Sequence, residues 1–219
     1  MFIEDKKIMS KKNIKNYMKT SIPNYFLILI VAIIYILLIY IFGVHKSILE
    51  TIDLIKYLIL TPLLLCAFMV DLKIQIIPNR LNLLIFEIGL ISMFAYGFFY
   101  ISLTINMILG MIVGGAIFLL ITLIGGAIAG KEAMGLGDVK LMGALGLCFG
   151  LTNIIVISVM SFLIGAIISI GLMICKSKKT SEYIPFGPFI VVATFIDIFV
   201  PFQVLFNILM KVFSLGLFN

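Results

Sequence analysis

Long uninterrupted apolar runs constrain this chain more than any other feature. They lie at about 24–42, 54–70, 81–100, 105–129, 139–150, 152–175, 184–200 and 202–218. Roughly 20 consecutive apolar residues carry a helix across the hydrocarbon core of a bilayer, and several of these runs reach that length. In lipid every backbone N–H and C=O must be satisfied within the protein. That leaves helices and closed barrels, and runs this long exclude barrel strands. Composition agrees: 63% of the 219 residues are hydrophobic and 12% are charged, where a soluble domain has about half and about a quarter. The predicted fold class is all-α, a polytopic transmembrane helix bundle of six to eight membrane-embedded helices. The fifth run is short and interrupted by glycine. Only Pro201 separates the last two, as in a kinked hairpin or a broken helix. The first run, Tyr25–Phe42, is too long for a signal-peptide core, and no small-residue cleavage site follows it.

Residues 1–23 form a basic, polar N-terminus and residues 24–219 the membrane domain. With the N-terminus in the cytoplasm, the loops at 71–80, 130–140 and 176–183 share its side. That side then holds 13 of the 16 Lys and Arg residues, while the opposite connections hold only Lys46. Basic residues collect on the cytoplasmic face of membrane proteins, so the expected location is the plasma membrane, multi-pass, N-terminus inside. The net charge of +6 is read as anchoring against anionic lipid; the bilayer is the expected partner, and nucleic acid is not.

Cys66, Cys148 and Cys175 stand alone in apolar sequence and read as small buried hydrophobes, with neither a disulfide framework nor a zinc site expected. His45, in an outer loop, reads as solvated, and no metal is expected. The pairs Gly110 and Gly114, Gly126 and Gly130, and Gly146 and Gly150 are each spaced four apart, which lets helix backbones approach closely.

Of the ten acids, Glu4, Asp5, Glu50, Asp53 and Glu182 read as solvated. An ionisable group at membrane depth is costly unless it is paired or meets water, which singles out Asp71, Glu87, Glu132, Asp138 and Asp197. Asp71 closes the second run and Asp138 opens the fifth, in GLGDVKLMGALG, so both fall at one membrane boundary. Two carboxylates that meet cannot both ionise cheaply; they share a proton and provide one base and one acid, as peptide hydrolysis by water requires. Glu87 and Asp197 read as buried polar pairing groups. On these residues alone, a proton- or cation-coupled transporter or a non-enzymatic assembly subunit fits as well.

Three segments resemble the type IV prepilin peptidases, intramembrane aspartyl proteases of the Gly-x-Gly-Asp class. DLKIQIIPNRLN, from Asp71, is similar to the family's first aspartate segment. EAMGLGDVKLMGALG, from Glu132, is similar to its second, and IPFGPFI, from Ile184, to its Pro-Phe-Gly-Pro segment. The resemblance implies that 24–219 is a peptidase domain with Asp71 and Asp138 as the catalytic pair. It also implies cleavage of the basic leader of a prepilin or pseudopilin on the cytoplasmic side, as in pilus assembly or protein secretion, with no cofactor. Many bacterial members carry Cys-x-x-Cys pairs associated with N-methylation; this chain has none and resembles the shorter, peptidase-only members, so S-adenosylmethionine is not implied. The alternative is a related Gly-x-Gly-Asp protease acting on other membrane stems. Presenilin-like and signal-peptide peptidases pair the motif with Tyr-Asp, however, and Val70 precedes Asp71 here.

Roles follow from placement. Asp138 precedes a helical run, where the helix dipole favours an anion, and Asp71 follows one, where it does not; this predicts Asp138 as base and Asp71 as acid. Gly135 and Gly137 are expected to admit the substrate backbone or to adopt positive φ. Pro78 and Asn79 are expected to start the third helix with Asn79 as cap, or to face substrate. Lys140 is expected to pair with Glu132 or to reach the headgroups. Pro185, Gly187 and Pro188 are expected to break a helix at the border of the active site.

Overall fold

A computed structural model describes residues 25–43, 47–129, 134–174 and 184–213. The basic segment 1–23 lies outside the described residues, as do His45, Gly130, Lys131, Glu132, Cys175, the lysines at 176–179 and Glu182. Among the described residues seven α-helices follow one another: α1 Tyr25–Phe42, α2 Ile48–Ile74, α3 Asn79–Gly97, α4 Ile101–Ala129, α5 Leu136–Ile174, α6 Gly187–Phe199 and α7 Phe202–Phe213. The all-α bundle expected from the apolar runs is what the structure shows. Helices α2 to α5 are long and apolar enough to cross a membrane, and α1, α6 and α7 are shorter. Ile91, Phe94, Leu120 and Ile167 are exposed on the outer faces, as side chains that meet lipid would be. Leu60, Leu64, Ile85, Leu141, Leu145 and Ile190, from α2, α3, α5 and α6, meet in the largest core cluster.

The fifth and sixth runs follow one another without a loop as the two helical arms of α5, 39 residues in all. It is broken at Gly150, with φ 81° and ψ 176°, a conformation open to glycine and costly for other residues. The backbone N–H of Leu151, freed by the break, donates to Asn106 Oδ1 at 3.2 Å. Gly110 of α4 and Gly146 of α5 touch backbone to backbone, and a Cβ at Gly114 would lie 2.8 Å from the Met142 carbonyl oxygen. The small-residue spacing thus packs α4 against α5, as expected for two of the three pairs.

Helix α2 carries Pro62 in its interior. Proline has no N–H to give the carbonyl four residues back, so the Leu58 oxygen loses its helical donor. The Tyr35 hydroxyl of α1 donates to that oxygen at 2.8 Å, which ties α1 to α2 at the defect.

A buried ionic cluster lies towards the N-terminal end of α2. Lys56 Nζ is 2.7 Å from Asp53 Oδ1 and donates to Tyr96 Oη at 3.3 Å and to the Cys148 carbonyl at 3.1 Å. The Tyr96 hydroxyl donates to Asp53. Asp53, expected to be solvated, is instead held in this cluster by α2, α3 and α5. Asp197 does pair, as expected of it, with Asn153 Nδ2 donating to Oδ2 at 3.1 Å. Glu87 does not match that expectation, for it is exposed in a groove with Tyr35, Pro62 and Ile91.

Candidate active site

Asp71 sits in the last turn of α2 and Asp138 in the first turn of α5. The backbone N–H of Gln75 donates to the Asp71 carbonyl at 2.8 Å, and Gln75 ends the helix in the left-handed region with φ 56°. That reversal carries the chain through Ile77 to α3. Both aspartates are buried, 3% and 4% exposed, and the helix ends that carry them lie side by side against Ile77.

Two glycines and one isoleucine set this proximity. Ile77 is buried between Gly137 and Gly187. A Cβ at Gly137 would stand 3.3 Å from Ile77 Cβ; one at Gly187 would stand 3.0 Å from Ile77 Cδ1 and 2.6 Å from Asp71 Oδ2. The Gly187 N–H donates to Asp71 Oδ2 at 2.9 Å. Gly187 opens α6, with Pro188 in its first turn, where a proline's missing N–H costs nothing. The Pro-Phe-Gly-Pro segment therefore starts a helix and does not break one. Phe186 anchors it with its ring centroid 5.0 Å from Phe162 of α5 and 5.9 Å from Phe118 of α4. Pro185, just before, is buried. The N-terminus of α6, with its partial positive charge, thus points at Asp71.

Around Asp138 the Gly-x-Gly-Asp turn is held by hydrogen bonds. The Asp138 N–H donates to the Gly135 carbonyl at 3.1 Å, and the Asn82 side-chain Nδ2 donates to the Gly137 carbonyl at 2.9 Å. Asp138 Oδ1 is buried and has no hydrogen-bond partner. Neither Gly135 nor Gly137 has positive φ; what Gly137 provides is the close approach to Ile77. Asn79 is not the cap of α3. Pro78 holds that position with extended backbone and makes no side-chain cap bond. Asn79 Oδ1 instead accepts from Lys140 Nζ at 2.9 Å, so Lys140 spans from α5 to α3, a partner not foreseen for it. Glu132, its expected partner, lies outside the described residues.

The structure thus brings Asp71, Asp138, Gly137 and Gly187 together, with Pro78, Asn79 and Lys140 beside them. Ile77 and Asn82 both lie in the segment DLKIQIIPNRLN that carries the resemblance, but the sequence assigns neither a role. Asn82 has a local signal, an amide side chain at the start of an otherwise apolar helical run; the packing of Ile77 has none, because its neighbours come from segments 60 and more residues away in the chain.

Two buried carboxylates from separate apolar helices thus lie at one end of the bundle, one of them with a helix N-terminus against it. The type IV leader peptidase family matches residues 58–170, just over half of the chain, and this chain belongs to that family. It is 31% identical over 139 residues to a prepilin leader peptidase/N-methyltransferase of Aeromonas hydrophila, covering 64% of this chain and 47% of that protein. A protein of the same description from Xanthomonas campestris pv. campestris is 31% identical over 130 residues, covering 59% and 44%. One from Neisseria gonorrhoeae is 30% identical over 139 residues, covering 64% and 46%. The chain spans about half the length of the curated relatives it matches. No solved structure matches it.

Proposed function

We propose that this protein is an integral membrane aspartyl endopeptidase that removes the leader of prepilin- or pseudopilin-like substrates at the cytoplasmic face. The observation that carries the reading is the burial of Asp71 and Asp138 on helix ends packed against one isoleucine, Ile77, within a chain of the leader peptidase family. The lysine asymmetry of the sequence supports the cytoplasmic side, and substrate leaders that are basic would be cut where they are synthesised.

The chemistry uses one carboxylate and one carboxylic acid. The carboxylate takes a proton from water as its oxygen attacks the scissile carbonyl carbon, and the carboxylic acid gives its proton to the carbonyl oxygen. Collapse of the tetrahedral species breaks the C–N bond, with the proton taken from water passing to the leaving amine. No covalent enzyme intermediate forms. Asp71 is the base in this reading and Asp138 the acid, the reverse of the roles assigned from the sequence. The Gly187 N–H and the N-terminus of α6 stabilise an anion on Asp71, whereas Asp138 Oδ1 accepts no hydrogen bond and suits a protonated oxygen that donates.

The test is cleavage of a purified prepilin by the protein in proteoliposomes prepared in H2(18)O. The expected products are a free leader and a shortened pilin, with solvent (18)O in the leader's new carboxyl group. An uncut prepilin, or a leader covalently attached to the enzyme, would contradict the reading.

A further inference from the structure

Beside the Gly137–Asp138 peptide, α3, α4 and α5 enclose a groove of about 430 Å3 lined by Asn79, Asn82, Phe86, Met111, Lys140 and Gly143, among others. Asn82 is 4% exposed. Its amide cannot be turned over, because the Gly137 carbonyl only accepts, so Nδ2 must face Gly137 and Oδ1 must face away. Oδ1 is buried and accepts no hydrogen bond. Buried amide oxygens in folded proteins are nearly always paired; this one belongs to a residue that lines the groove and whose other amide atom is bound to the backbone next to Asp138. An acceptor held there by a main-chain contact is matched by a main-chain donor. The substrate of a peptidase brings a row of them, since an extended segment entering the site presents backbone N–H groups that must be satisfied out of water.

We propose that Asn82 is a substrate-binding residue, its Oδ1 accepting the main-chain N–H of a substrate residue flanking the scissile bond while the groove holds that segment. This rests on the peptidase reading above. Recognition of this kind fixes the register of the scissile carbonyl against the two aspartates independently of the substrate side chain at that position. The segment's side chains meet an apolar wall of Leu83, Phe86 and Met111.

The test is a series of synthetic peptides covering a leader junction, in which each flanking amide N–H in turn becomes an ester oxygen and the scissile amide is kept. Each is cleaved by the unaltered protein, by Asn82→Leu and by Asn82→Ala, so that one variant failing to accumulate leaves the other. One ester is expected to lower kcat/KM about tenfold with the unaltered protein, the range for a lost neutral hydrogen bond. The same ester is expected to lower it less than about twofold in the Asn82 variants, because the partner is already gone. If every ester has the same effect in the variants as in the unaltered protein, Asn82 supports only Gly137 and the inference falls. If the unaltered protein leaves the all-amide peptide uncut, the peptidase reading falls with it.

Discussion

At the scale of single residues, Gly187 stands out because its hydrogen atom occupies the space where any other side chain would strike Asp71. A Cβ there would lie 2.6 Å from Asp71 Oδ2, well inside contact distance, so the carboxylate must move or α6 must tilt. Displacing a catalytic group by about 1 Å costs on the order of a hundredfold in rate. Gly187→Ala is therefore expected to lower kcat about a hundredfold while the protein accumulates normally, measured with a purified prepilin. An unchanged kcat would mean that Asp71 does not need its present position. The assignment of base and acid is also a residue-scale claim. Infrared spectra at the pH of activity should contain a protonated-carboxyl C=O band that Asp138→Asn removes; its loss in Asp71→Asn alone would restore the opposite roles. In the sequence only the helix bearing each aspartate is visible; α6, whose N-terminus reaches Asp71 from a position 116 residues further along the chain, is not.

At the scale of elements, the apolar runs predicted where helices would lie, and the chain's defects predicted their ends less well. Pro-Phe-Gly-Pro reads from composition as a breaker, yet it opens α6, because proline is as suited to a first turn as it is unsuited to an interior. The runs on either side of Gly150 read as separate, and the structure keeps them as two helical arms of α5, with a backbone break at Gly150 and Asn106 accepting from Leu151 at the start of the second arm. The Asp53–Lys56–Tyr96 cluster was illegible for another reason, as its contacts join residues 40 and 92 apart. Pro62 gives the sharpest element-scale prediction. Tyr35→Phe removes the donor that serves the Leu58 oxygen and is expected to cost about 1 kcal/mol of stability, read by denaturation in detergent. In a Pro62→Ala background the restored helical N–H serves that oxygen, and the same Tyr35→Phe change should cost clearly less. Equal costs in the two backgrounds would mean that the hydroxyl acts somewhere other than on the proline defect.

At the scale of the whole molecule, the account requires the α2–α3 junction, where Asp71 lies, to face the cytoplasm. In a variant without Cys66, Cys148 and Cys175, Ile76→Cys and Tyr100→Cys place single thiols at exposed positions on opposite ends of α3. A membrane-impermeant maleimide applied to right-side-out vesicles should label Tyr100→Cys and leave Ile76→Cys untouched; the reverse pattern would invert the molecule. Asp71, Asp138 and the Pro-Phe-Gly-Pro segment stand out in the sequence because their types and order resemble a family. Their geometry was not legible, since Ile77 and Asn82 join the segments through contacts that no local pattern encodes. The central claim is that Asp71 and Asp138 act as one site, and it is tested most directly by co-expressing the protein with a prepilin and following the mobility shift of leader removal. The account predicts complete processing by the unaltered protein and none by Asp71→Asn or by Asp138→Asn, with all three proteins present at equal levels in the membrane. Processing at the normal rate by either variant would contradict it.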